Sequence, residues 1–131
     1  MRKFKIPMVA LMTAGTLLAS GGIVAQAEMC VTSSGCRDAI TYAGGEAMNS
    51  RSMEARHVRA TMRKTGGSGS FTARIQRRNS AGNYVNHRSS SRETNGTTVF
   101  ESTNYSTQTR FRIRATGNTS AAGTARIVRL R

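Results

Sequence analysis

The sequence predicts an all-β protein, a small antiparallel β-sandwich or barrel-like domain behind a removable leader. Three observations carry that prediction. Apolar and polar residues alternate with period two in several runs, as in strands that have one buried and one wet face. Clusters of Gly, Ser and Asn separate those runs at short intervals. Beyond Pro7 there is no proline to interrupt a ladder of strand hydrogen bonds.

The first element is the leader. Arg2, Lys3 and Lys5 precede an apolar stretch from Ile6 to Leu18, and small residues then lead to Val24-Ala25-Gln26-Ala27. Ala25-Gln26-Ala27 fits the A-x-A cleavage pattern, since signal peptidase accepts only small side chains there. Residues 1–27 therefore read as a signal peptide of bacterial type, and residues 28–131 as one secreted, extracellular domain. A membrane-spanning helix would need about 20 mostly apolar residues. Thr13, Gly15, Thr16, Ser20, Gly21 and Gly22 interrupt this stretch. A lipid anchor would need a cysteine directly after the small residues, where Glu28 and Met29 stand. No transmembrane segment is expected in the mature chain.

Cys30 and Cys36 are the only cysteines. In an exported chain a pair this close reads as a disulfide that staples the new N-terminus. A loop so small contributes about 2 kcal/mol at most in the chain-entropy picture. Redox or metal chemistry would favour C-x-x-C spacing or a nearby histidine, and the sequence offers neither. No metal or cofactor is expected.

The segment from Asp38 to Glu54 is ambiguous. Ala39 to Ala43 reads as an edge strand, and Glu46 to Glu54 as a helical turn or two. From His57 the pattern clears. Val58, Ala60 and Met62 fall on one face of a strand, and His57, Arg59, Thr61 and Arg63 on the other. Thr65 to Ser70 turns the chain, and its glycines read as a hairpin turn rather than a phosphate loop, because no Lys-Ser/Thr follows. Phe71, Ala73 and Ile75 then point inward. Asn79 to Asn83 is a second turn, followed by a short strand from Tyr84 to Arg88 and a polar loop from Ser89 to Gly96. Thr97 to Ser102 is β-prone around Val99 and Phe100. Thr109 to Ala115 is the clearest strand, with Phe111 and Ile113 inward and Arg110, Arg112 and Arg114 outward. Thr124 to Arg131 closes the domain with Ala125, Ile127, Val128 and Leu130.

Charge narrows the partners. Of 20 lysines and arginines three lie in the leader, which leaves 17 against six acids and a net charge of about +11 for residues 28–131. Lys64 is the only lysine among them. Arginine stays charged at any relevant pH and grips phosphate or carboxylate through paired donors, whereas lysine acts as a point charge. If their strands are neighbours, Arg59, Arg63, Arg74, Arg110, Arg112 and Arg114 form a positive field that attracts polyanions. For an exported protein these are anionic cell-wall or membrane-surface polymers, and the outcome could be adhesive or antimicrobial. Nucleic acid is less favoured, because bases need aromatic platforms and the phenylalanines sit at core-type positions.

Two other classes compete. One is a protein-interaction or inhibitor module whose charge is incidental. The other is a small secreted ribonuclease-like enzyme, for which His57 or His87 with Glu93 or Glu101 would supply acid and base, and arginine the phosphate contacts. Both histidines precede both glutamates, no nucleophile elbow occurs, and the balance of features reads as non-enzymatic. The Asn-x-Ser/Thr triplets at Asn95, Asn104 and Asn118 would matter only in a eukaryotic secretory pathway.

Overall fold

The structure, a computed structural model, describes residues 36–131. The predicted signal peptide lies outside the described residues, as does Cys30, and Cys36 carries no disulfide among those described. Nine strands run in chain order: β1 (Arg37–Tyr42), β2 (Met48–Asn49), β3 (Met53–Ala55), β4 (Val58–Gly66), β5 (Phe71–Arg78), β6 (Tyr84–Arg92), β7 (Gly96–Glu101), β8 (Thr109–Gly117) and β9 (Ala122–Arg129). They form two antiparallel sheets packed face to face. One has four strands in the order β1-β9-β4-β7. The other has five, β2-β8-β5-β6, with β3 also paired to β8. The chain is all-β, with no helix among the described residues.

The period-two pattern explains both sheets. Val58, Ala60 and Met62 of β4, Phe71, Ala73 and Ile75 of β5, and Phe111, Ile113 and Ala115 of β8 are all fully buried. They meet Tyr42, Met53, Ala125 and Ile127 in one core between the sheets. Burying each large apolar side chain contributes about 1.5–3 kcal/mol, so alternation alone dictates which way every strand faces. Tyr42 closes one end of the core. Its ring lies 5.9 Å from that of Phe71, and its hydroxyl donates to the Gly117 carbonyl at 2.7 Å.

The topology departs from a chain of hairpins. Only β5–β6 is a hairpin. Its turn is built on Asn79, whose Oδ1 accepts the amides of Ala81 at 3.0 Å and Asn83 at 2.9 Å, while Gly82 supplies a left-handed φ of 89°. The expected hairpin at Thr65 to Ser70 is instead an arch, because β4 pairs with β7 and β9 and β5 pairs with β6 and β8. Inward-facing residues flank a hairpin and an arch alike, so alternation does not separate the two. At the crown of the arch, Gly67 has a φ of 77° and a Cβ there would sit 1.6 Å from the Ser120 carbonyl oxygen.

Three further expectations are corrected. The helical turns proposed for Glu46 to Glu54 are the short strands β2 and β3, which extend the five-stranded sheet along β8. Ser50, between them, accepts the Ile113 amide on its Oγ and donates its own amide to the Ile113 carbonyl, both at 2.9 Å. The strand expected at Tyr84 to Arg88 continues to Arg92, so the polar loop before β7 is much shorter than expected. Serines 89 to 91 lack an apolar signal, yet their backbones pair with Arg74, Ala73 and Thr72. In β9 the inward position next to Ile127 is taken by Arg129, which is buried, while Val128 faces outward. The expected edge strand at Ala39 to Ala43 is β1, at the edge of the four-stranded sheet.

Lys64 continues the inward face of β4 beyond Met62 and is only 2% exposed. A buried cation is costly unless its donors are met. Nζ donates to the Gly67 carbonyl at 2.6 Å and to Asn95 Oδ1 at 3.4 Å, so it ties the β4–β5 arch to the β6–β7 connection.

Candidate polyanion interface

The strand register decides which arginines share a surface. In β8, inward Phe111, Ile113 and Ala115 force Arg110, Arg112, Arg114 and Thr116 outward. The β5–β8 register sets Arg74 opposite Arg114 and Gln76 opposite Arg112. A bulge in β6, where the pairing skips His87, returns Tyr84 and Asn86 to the same outer face. The outer face of the five-stranded sheet therefore carries Arg74, Arg78, Arg110, Arg112 and Arg114, and Glu54 is the only carboxylate on the strands of that sheet.

These arginines are braced as well as clustered. Arg110 pairs with Glu54 at 2.7 Å. Arg112 donates to Gln76 Oε1 at 2.8 Å and lies 4.1 Å from the centre of the Tyr84 ring, within cation–π range. Burial, with the neighbouring charge of Arg114, holds the Arg112 pKa below its ordinary value, and Tyr84 opposes that shift. Arg114 donates to Asn49 and Arg74 to Thr116, at 3.0 and 2.8 Å. Beside the ladder lies a hollow of about 280 Å³ rimmed by Arg51, Arg78, Tyr84, Arg110 and Arg112, with Ser50 and Ser52. Directly opposed like charges destabilise a sheet. The pairing of Arg74 with Arg114 is tolerated because each guanidinium has a neutral acceptor beside it.

The six arginines singled out from sequence do not all meet. Arg74, Arg110, Arg112 and Arg114 share this face, whereas Arg59 and Arg63 lie on β4, on the opposite, outer face of the four-stranded sheet. There Glu101 bridges two partners. Its Oε2 accepts from Arg59 at 3.0 Å, and its Oε1 lies 3.0 Å from His57 Nε2. The hydrogen bond from Arg59, with the charges of Arg59 and His57, holds the Glu101 carboxyl below its usual pKa. Sequence reasoning passed over Arg78, Arg126 and Tyr84. Alternation puts Tyr84 on a strand without marking it as functional, and the bulge at His87 turns it toward Arg112.

The histidines are separated. His57 sits at the start of β4 against Glu101. His87 lies at the bulge, its ring 5.7 Å from Tyr105 and 6.3 Å from Phe111. Its Nε2 accepts the Thr103 amide at 3.1 Å. Burial, with the charges of Arg88 and Arg77, lowers its pKa. Glu93 belongs to the connection after β6, and the side-chain contacts of His87 are those with Tyr105, Phe111 and the Thr103 amide. Among the described residues no three His, Cys, Asp or Glu side chains are grouped to hold a metal ion.

No protein-family model, characterised protein or solved structure matches this chain.

Proposed function

We propose that the chain is exported and adheres to anionic cell-envelope polymers through the outer face of its five-stranded sheet. The observation that carries this reading is the array of Arg74, Arg78, Arg110, Arg112 and Arg114 facing one way against a single strand carboxylate, Glu54. Same-face side chains repeat at roughly 7 Å along a strand, so Arg110, Arg112 and Arg114 present a regular row of positive charge to a linear polyanion. The bracing contacts hold the row extended before any polymer arrives, which lowers the entropy lost on binding. The basic leader and the A-x-A triplet support export, and the excess of arginine over lysine supports oxyanion partners. Antimicrobial action is a consequence open to such a protein, since charge draws it to anionic surfaces.

Retention of the purified protein on bacterial cell walls, with and without their teichoic acid, across a salt series tests this reading. Retention that needs the acidic polymer and weakens steeply with salt is expected, because binding releases condensed counterions. Retention that ignores salt would point instead to a packed protein interface, and no retention at low salt would overturn the reading.

The alternative ribonuclease reading draws its support from His57, Glu101 and Arg59, where an imidazole, a carboxylate and a guanidinium meet. RNA cleavage that His57→Ala abolishes would establish it. RNA left intact by the wild-type protein would end it.

A further inference from the structure

The outer face of the four-stranded sheet carries a different kind of cation. Arg63 on β4 is flanked in register by Thr97 of β7 and Thr124 of β9, and Arg126 on β9 by Thr61 and Ala39. These residues line a depression of about 380 Å³. The guanidinium groups of Arg63 and Arg126 and the hydroxyls of Thr61, Thr97 and Thr124 make no hydrogen bond or ion pair with any described residue. Both arginines are exposed. The residues across from them on each neighbouring strand are Thr and Ala, which carry no carboxylate or amide oxygen, and the guanidinium donors stay uncommitted.

We propose that this depression is a second binding site, for a tetrahedral oxyanion ester, phosphate or sulfate, carried on a sugar or polyol chain. The proposal rests on the polyanion reading above and adds a ligand chemistry to it. Donors converge from three strands: a guanidinium from β4, another from β9, and hydroxyls from β4, β7 and β9. A planar carboxylate offers two oxygens in one plane and is met by a single fork, whereas a tetrahedral anion offers oxygens in several directions and uses both forks and the hydroxyls. The flanking face supports a sugar or polyol carrier. The outward residues of β1, β4, β7 and β9 include no aromatic side chain, so bases would find nothing to stack on.

The test is an NMR titration of the purified protein, following the Arg Nε–H signals and the backbone amides at low salt. The probes are poly(glycerol phosphate), dextran sulfate and polygalacturonate. Shifts at Arg63, Arg126, Thr61, Thr97 and Thr124 with the phosphate polymer, the sulfate polymer or both are expected, and the responding probe identifies the ester. The double variant R63Q/R126Q should lose those shifts and bind that probe about 30-fold more weakly, at roughly fivefold per arginine. Unchanged amide signals elsewhere would show that the variant is folded. Equal shifts with polygalacturonate would overturn the tetrahedral assignment. Shifts confined to Arg74, Arg110, Arg112 and Arg114 would overturn the second site and leave the first reading standing, whereas no response to any probe would overturn both.

Discussion

The two outer faces of this sandwich carry arginine in opposite ways. On the five-stranded sheet Arg74, Arg110, Arg112 and Arg114 are half-buried, and each leans on a neighbour: Glu54, Gln76 and Tyr84, Asn49, or Thr116. On the four-stranded sheet Arg63 and Arg126 stand exposed over threonines and make no such contact with a described residue, while Arg59 is tied to Glu101. Both faces come from the same strand alternation. What differs is whether an acceptor lies within reach of the guanidinium. Glu54, Gln76 and Asn49 stand directly across from Arg110, Arg112 and Arg114 and meet their guanidinium groups, while the Thr and Ala residues across from Arg63 and Arg126 do not. An arginine that leans on its neighbours contributes to the fold and to the field together, whereas an uncommitted one contributes to the field alone.

Removing charge from the braced face should give the largest effect. R110Q/R112Q/R114Q is expected to weaken cell-wall retention on the order of 100-fold at low salt, taking about 1 kcal/mol for each arginine near an anionic surface. It should also flatten the plot of log affinity against log salt by about two to three units, near 0.7–0.9 per lost contact. Next comes Lys64, a cation that turns inward. Lys64→Ala leaves the Gly67 carbonyl without its donor, and should cost about 1–3 kcal/mol in urea unfolding. An effect below a few tenths would mean that water takes its place.

Single substitutions then separate the faces directly. Arg112→Gln should lower stability by about 1 kcal/mol, through the lost contacts with Gln76 and Tyr84, while Arg63→Gln and Arg126→Gln should stay within about 0.5 kcal/mol. Equal losses on both faces would erase the contrast.

The smallest effect expected is one of pH. His87 has a lowered folded pKa, so below the ordinary imidazole value the unfolded chain binds more protons than the folded one. Stability is then full above that value and declines as pH falls through it toward the lowered folded pKa. The geometry agrees, because a protonated Nε2 cannot accept the Thr103 amide. Melting temperature measured from pH 7.5 to 5 should fall for the wild type and fall less for His87→Gln. Asp38 acts lower on the scale. Burial works against its charged form, but the hydrogen bonds from Arg51 outweigh it and depress its pKa, so its contribution persists above the ordinary carboxylate value and is lost only as pH falls below that.

Which face the residues of β4, β5 and β8 take was legible in the sequence, whereas the inward Arg129, the outward Tyr84 beyond the bulge and the pairing of the strands were not. Val58, Ala60 and Met62, or Phe111 and Ile113, announce their burial because burial depends on one strand and its period. Partnering depends on residues far apart in the chain. Arg63 and Arg110 look alike from sequence, and nothing local reports that β4 and β8 belong to different sheets. Lys64 escaped notice for a related reason. It occupies an inward position in perfect alternation, and its cost is met by Gly67 and by Asn95, which lies 31 residues away.

Six of the eight connections pass from one sheet to the other, and β1 finds its partner only in β9. The β5–β6 hairpin is the single pairing that can close early, since every pair in the four-stranded sheet joins strands distant in sequence. Pairings of this kind form slowly, because a long loop must be ordered before any contact rewards it. Delivered from its N-terminus by the ribosome, the chain holds β1 unmatched until residues 122–129 have emerged. The same delay leaves the strands in search of partners, and the repulsion among 17 cationic side chains of residues 28–131 helps to keep neighbouring copies apart meanwhile.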